Sequence, residues 1–306
     1  LLYGSNAIAG VVNVLTGHHI IHEHPHEGVH VTVTGLGGSA NAQGGASGQF
    51  EFGRKDWLFH AGAGGQRAGD YRSPVGTVGN SGWDFRQGNL GLGRFGEKFS
   101  FNANYMHQYG FYGVPYGGGE DHDHDHHHHA ASPLGRALLR SSLLRPLGEE
   151  HEDHDDHHHH EGPVGLKWRR HNVRGNLAAK KLNGWLEDFQ LALNYSDWNH
   201  NEIELEDNVV GTRFYNKQFI YRGTFNQRKR GLWGGSFGFW GMRRDFEAKG
   251  AEALAPPVDQ NAFALFGLQS LTWERMKVQF GARYERNRSE ERRVGKECRS
   301  RWSPYH

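Results

Sequence analysis

Between residues 99 and 106 the chain alternates strictly: Phe99, Phe101, Ala103 and Tyr105 are separated by Ser100, Asn102 and Asn104. Successive side chains of an extended strand point to opposite faces, so this run predicts a strand with one apolar and one polar face. The pattern recurs in 189–196, where Phe189, Leu191, Leu193 and Tyr195 alternate with Gln190, Asn194 and Ser196. It recurs again in 278–285, where Val278, Phe280, Ala282 and Tyr284 alternate with Gln279, Gly281, Arg283 and Glu285. Weaker versions near 29–38, 47–53, 57–66, 87–95, 166–177, 213–226, 232–244 and 261–270 bring the candidate strands to eleven. The connections divide into two kinds. Every even-to-odd link is short: Arg54-Lys55-Asp56, Gly96-Glu97-Lys98, and turns around Asn183-Gly184, Lys229-Arg230-Gly231 and Thr272. The odd-to-even links 67–86, 110–165, 199–212 and 245–260 are longer. Short turns at one end and long loops at the other are the mark of a membrane β-barrel, and a soluble sandwich has no reason to sort them so.

Composition agrees. Only 36% of the 306 residues are apolar while glycine reaches 44, a poor basis for a soluble core. A barrel wall needs apolar side chains on one face only, so a mean hydropathy of −0.76 does not exclude a membrane. No apolar run approaches the roughly 20 residues of a spanning helix. Basic and acidic residues, 35 and 34, nearly cancel, which gives no bulk field for nucleic acid. The single cysteine, Cys298, supplies neither a disulfide framework nor a thiolate metal site. No Ser/His/Asp constellation, phosphate-binding glycine motif or paired-carboxylate cleft stands out, and the chain is read as a non-enzyme without a cofactor. Trp57, Trp185, Trp233 and Trp273 all fall beside short links, where they are either an interfacial girdle or ordinary hairpin-flanking aromatics.

Residues 1–17 break the alternation. Tyr3-Gly4-Ser5-Asn6-Ala7 is turn or helix-start chemistry, and the β-branched run from Gly10 to Thr16 suits a short buried strand. The wording of Tyr3, Gly4, Ser5, Ala7, Ile8, Gly10, Val11, Val12, Asn13, Val14 and Thr16 closely resembles the end of the plug domain of TonB-dependent outer-membrane receptors. The resemblance covers about residues 1–287. Tyr112-Gly113-Val114-Pro115 before a His-rich loop, and Val210-Gly211-Thr212-Arg213-Phe214, look like the subgroup associated with zinc uptake. The resemblance implies an all-β fold: an antiparallel transmembrane β-barrel of about 22 strands, closed by an N-terminal plug. It also implies a bacterial outer-membrane location, contact with outer-membrane lipid, and energy from a periplasmic TonB-ExbB-ExbD complex acting on an upstream segment.

The chain opens at Leu1-Leu2-Tyr3, so it is expected to be an internal fragment holding half of such a barrel, with the export signal and most of the plug upstream. The expected divisions are 1–17, the end of the plug; 18–27, a His-rich linker; 28–287, the barrel strands with a long extracellular loop at 110–165; and 288–306, a tail. That tail turns strongly basic, reading as an extracellular loop or as sequence foreign to the natural protein, with the second expected.

Histidine is the compositional outlier, at 23 residues, and three stretches concentrate it. The first is His18, His19, His22, His24 and His26, with Glu23 and Glu27. The second is Glu120, Asp121, His122, Asp123, His124 and Asp125, followed by His126, His127, His128 and His129. The third is His151, His154, His157, His158, His159 and His160 among Glu149, Glu150, Glu152, Asp153, Asp155, Asp156 and Glu161. Imidazole and carboxylate are the donors that Zn²⁺ takes in cysteine-free sites, and Ni²⁺ and Cu²⁺ also accept imidazole. The second and third clusters share one loop on the long-link side, which suits a multi-site sponge for scarce metal. The same residues also fit a hydrophilic low-complexity loop with no selected ligand. The first cluster reads equally as a solvated linker or as a step in metal handoff. His60 and His107 read as lumen ligands or as polar interior residues of strands, with the second expected, and Asp197, His200, Glu202 and Glu204 as a solvated loop or a small cluster. The leading function is an energised zinc receptor. A siderophore or haem receptor of the same fold is one alternative, and a non-transporting His-rich surface metal-binding protein is another.

Overall fold

The computed structural model describes residues 27–115, 162–250, 253 and 255–291. These form one antiparallel sheet of eleven strands in which each strand pairs with the next of the series, β1-β2-β3-β6-β7-β8-β9-β10-β11-β12-β13. The strands are β1 (Gly28–Gly38), β2 (Gln43–Arg54), β3 (Trp57–Ala68), β6 (Trp83–Phe95), β7 (Phe99–Gly113), β8 (Val164–Ala179), β9 (Leu186–Glu204), β10 (Val209–Gln227), β11 (Trp233–Gly250), β12 (Val258–Thr272) and β13 (Lys277–Glu291). A separate two-residue pair, β4 (Arg72–Ser73) with β5 (Gly76–Thr77), decorates the β3–β6 link. Each alternating segment of the sequence lies in a strand of the sheet, and no described residue is helical.

The short links are as tight as the turn residues suggest. Lys55-Asp56 alone joins β2 to β3, with Lys55 at φ 54°. Gly184 and Gly231 sit at φ 83° and 59° in the β8–β9 and β10–β11 links, a conformation that favours glycine because it has no Cβ to clash. Two neighbouring links are tied by an ion pair, Lys181 Nζ to Glu97 Oε1 at 2.6 Å. The hydrogen bond and charge of Lys181 hold the Glu97 carboxyl below the usual carboxylate range.

The opposite end differs from expectation. The loops predicted at 199–212 and 245–260 are largely strand, and only 205–208 and 251–257 remain as links. Backbone pairing continues there although the outward face has turned polar, as at Asn199 against Tyr215 and Asn201 against Arg213. Apolar alternation cannot reveal strands of that kind. Likewise Arg288–Glu291, assigned to the tail, extend β13 and pair with Val258–Asn261. The long β7–β8 link spans 114–163, and its residues 116–161 lie outside the described set, as do 1–26 and 292–306.

Register decides which side chains share a face. Directly opposed residues of an antiparallel pair point the same way. Val29–Phe52–Phe59–Leu92–Ala103–Gly175–Leu193–Tyr221–Gly241–Phe263 is one such line through ten consecutive strands. The line one residue away, His60–Gly91–Asn104–Arg174–Asn194, is polar. The exposure is inverted relative to a soluble protein. Val31, Phe59, Leu90, Tyr195, Phe219 and Leu265 on the apolar face are 39–64% exposed. The buried residues Leu58, Ser100, Asn172, Ala178, Ser196, Ala264 and Phe266 all lie on the other face. The side that packs is the polar one, and the apolar side looks outward.

Candidate functional site

Each long strand divides into three zones. At the short-link rim, Trp57, Trp185, Trp233 and Trp273 are 38–53% exposed. Trp57 packs edge-on against Phe101 at 5.8 Å, and Trp185 stacks on Phe237 at 5.5 Å. This is where a girdle belongs, with indole N–H groups able to reach headgroups. Above the rim comes the apolar band, which ends at the row Tyr105, Val173, Tyr195 and Phe219. From Trp185 to Tyr195 the strand advances about 33 Å at roughly 3.3 Å per residue. At the usual barrel tilt that is close to the ~25 Å of a membrane band.

Past that row the faces exchange character. The next outward row is His107, His171, Asp197, Lys217 and Asp245. Aromatics now occupy the inner face, in the row Phe85, Gly110, Trp168, His200 and Phe214. Phe85 and Trp168 lie 5.9 Å apart, and His200 sits 5.4 Å from both Trp198 and Phe214, which in turn neighbours Phe246 at 6.4 Å. Gly110 makes room for this layer, since a Cβ there would fall 2.4 Å from the Trp168 ring. The Nε2 atom of His200 is buried without a hydrogen-bond partner among the described residues.

Below this layer the inner face is a polar lattice. Asn172, only 1% exposed, donates to Asn194 Oδ1 at 2.9 Å and to the Tyr195 carbonyl at 3.0 Å. Asn176 donates to Asn102 at 2.7 Å, Arg170 to Ser196 at 2.9 Å and Arg244 to Asn216 at 3.0 Å. Such a wall suits a water-filled or plugged interior, since most of its polar groups bond to one another, while the buried Oδ1 of Asn172 has no hydrogen-bond partner among the described residues.

His60 lies on this polar face, opposite Gly91, as expected. His107 does not. It shares the odd-numbered face of Phe101 and Tyr105, so it points outward, 4.5 Å from the ring of His171, whose Nδ1 meets Tyr105 Oη at 2.7 Å. Its distance from the band, not its strand, makes it polar. Asp197, His200, Glu202 and Glu204 belong to β9 rather than to a loop, and the two-residue period puts Asp197 on the opposite face from the other three. They form no single cluster. The predicted metal ligands His122–His129 and His151–His160 with Asp121, Asp123 and Asp125, and the plug-like residues Tyr3, Gly4, Ser5, Ala7, Gly10 and Asn13, lie outside the described residues. Among the described residues no group of three or more His, Cys, Asp or Glu is placed to hold a metal. The aromatic layer was missed in the sequence reading. Its signal was a change of phase: Trp168, Trp198 and Phe214 are even-numbered, whereas Val173, Tyr195 and Phe219 in the same strands are odd.

No family model and no curated protein matches the chain. Among solved structures, "Copper transporter OprC" matches with a TM-score of 0.62 at 14% identity, over 87% of this chain and 39% of that one. The chain therefore spans about two fifths of the length of the protein it matches. The likeness is one of fold: the sheet described above is an outer-membrane-type β-barrel wall.

Proposed function

We propose that this chain is wall and loop of a bacterial outer-membrane transporter of the TonB-dependent class that captures and admits a metal ion, zinc before others. The observation that carries the proposal is the outward apolar band, in register across the sheet and bounded at both ends. Water gives no reason to keep such a band, and a bilayer requires it. The similar solved structure is a copper transporter, which supports metal as cargo. The imidazole- and carboxylate-rich segment 120–161, inserted in the long β7–β8 link, supplies the capture chemistry, and its zinc affinity requires neutral rings. The protein acts by binding and passage rather than by catalysis, and its energy would come from the TonB-ExbB-ExbD complex.

The test is calorimetry of the full chain in detergent micelles. Several equivalents of Zn²⁺ should bind at pH 7.5 and few at pH 5.5, because protons displace metal as the pH falls through the imidazole range near 6.5. Excising 120–161 should remove most of the pH-dependent heat, leaving at most the share of His18–His26. Unchanged binding after excision would remove the capture role.

The inner aromatic layer favours a second reading, a receptor for a planar or bulky metal chelate such as a siderophore or haem. Trp168, Trp198 and Phe214 offer stacking surfaces that a bare ion does not need. That reading predicts chelate-dependent quenching of tryptophan fluorescence that survives the excision.

A further inference from the structure

Above the apolar band the outward face is unevenly charged. On β7–β10 two successive rows there are Tyr109, Arg169, Asn199 and Tyr215, then Phe111, Lys167, Asn201 and Arg213. Neither row contains a carboxylate on these strands. Lys167, Arg169 and Arg213 are exposed, and none makes an ion pair among the described residues. Three neighbouring cations on the same face are matched within their own strands, Arg86 to Asp84 at 3.0 Å, Arg243 to Asp245 at 3.8 Å and Lys249 to Glu247 at 2.9 Å, and Lys217 stands in register between Asp197 and Asp245. Lys167 leans over the Tyr109 ring at 5.9 Å, which keeps its ammonium on the wall.

Lys167 and Arg213 flank Asn201 across two strand spacings, so their backbones stand about 10 Å apart, with Arg169 two residues nearer the band. Long side chains at that spacing can converge on one tetrahedral anion, and guanidinium groups suit phosphate oxygens. Immediately below lie Tyr105, Val173, Tyr195 and Phe219, which belong to the apolar band. A ligand that satisfies both zones carries a phosphate on an acyl body. We infer that Lys167, Arg169 and Arg213 seat the phosphate of a lipid headgroup in the leaflet on the long-link side. This inference rests on the membrane reading given above.

Native mass spectrometry of the full chain in micelles tests it, with phosphatidic acid and diacylglycerol as paired probes. The wild type should retain the phosphate-bearing lipid about tenfold better or more, with the preference weakening in high salt. Combining Lys167→Gln, Arg169→Gln and Arg213→Gln should erase the preference. The control combination Arg67→Gln, Arg286→Gln and Arg288→Gln, on the same face of other strands, should leave it within about twofold. The swaps Lys167→Arg, Arg169→Lys and Arg213→Lys, which keep the charge, should retain it. Equal loss in the test and control combinations would overturn the inference. So would competition by inorganic phosphate as strong as by lipid, which would mark a free-anion site. A preference that emerges only after excision of 120–161 would also overturn it, by making that acidic segment the occupant. A chain that inserts into vesicles but shows no preference defeats only this inference. Failure to insert at all defeats the membrane reading beneath it.

Discussion

At Leu193 an aliphatic side chain joins the face shared by Gly175 and Tyr221, while one residue earlier Ala192 points with Asn176 and Arg222 to the polar side. Adjacent positions in one strand therefore answer to different solvents, and substitution should separate them. Leu193→Arg is expected to lower stability in lipid by about 2–4 kcal/mol, as charges near the middle of a lipid-facing band do. Ala192→Arg is expected to change it by no more than about 0.5 kcal/mol. Denaturant titration of both variants in vesicles checks the contrast, and equal costs would mean that the faces have been assigned wrongly. His107 shows how position along the strand modifies the rule. Its parity puts it outward, yet it lies one row beyond Tyr105, where a polar outward ring is in place.

Among the strands, β9 and β10 are each 19 residues long, against the 9–11 that a tilted membrane strand needs. The surplus is the zone where the faces exchange. The sequence reading located the middle of all eleven strands because there the two faces differ in polarity at every step. It stopped β9 and β11 short and started β10 late at the long-link end because outward residues such as Asn199 and Asn201 carry no apolar contrast, although their backbones pair fully. The aromatic layer was hidden for a related reason. Trp168 and Trp198 look like interruptions of one alternating pattern until they are seen as the start of its mirror image. Phase should therefore matter more than composition. Inserting one glycine between Leu193 and Asn194 would turn the rest of β9 over, sending Asn194 and Ser196 toward lipid, and should abolish folding into vesicles. The same insertion within 205–208 should be tolerated. Heat-modifiable gel mobility distinguishes the two, and equal tolerance would contradict the assigned register.

Over the whole sheet, the buried apolar residues among those described are Leu58, Phe266 and five alanines, far too little for a core in water. Both edges, β1 and β13, have one strand partner each among the described residues, and an open edge invites further pairing. In aqueous buffer without detergent the chain should therefore form large assemblies rather than a monomer with a cooperative melt, which sedimentation and calorimetry would reveal. A sharp monomeric transition there would refute the membrane reading. The exchange of faces at the row beyond Tyr105 and Tyr195 carries this further. Water alone would leave the lower zone unsatisfied, and a uniformly oily medium would leave the upper one so. Only a medium that is itself stratified, with a step at one height, satisfies both zones together. What sets the height of that step thus lies outside the polypeptide, in the thickness of the layer that receives it.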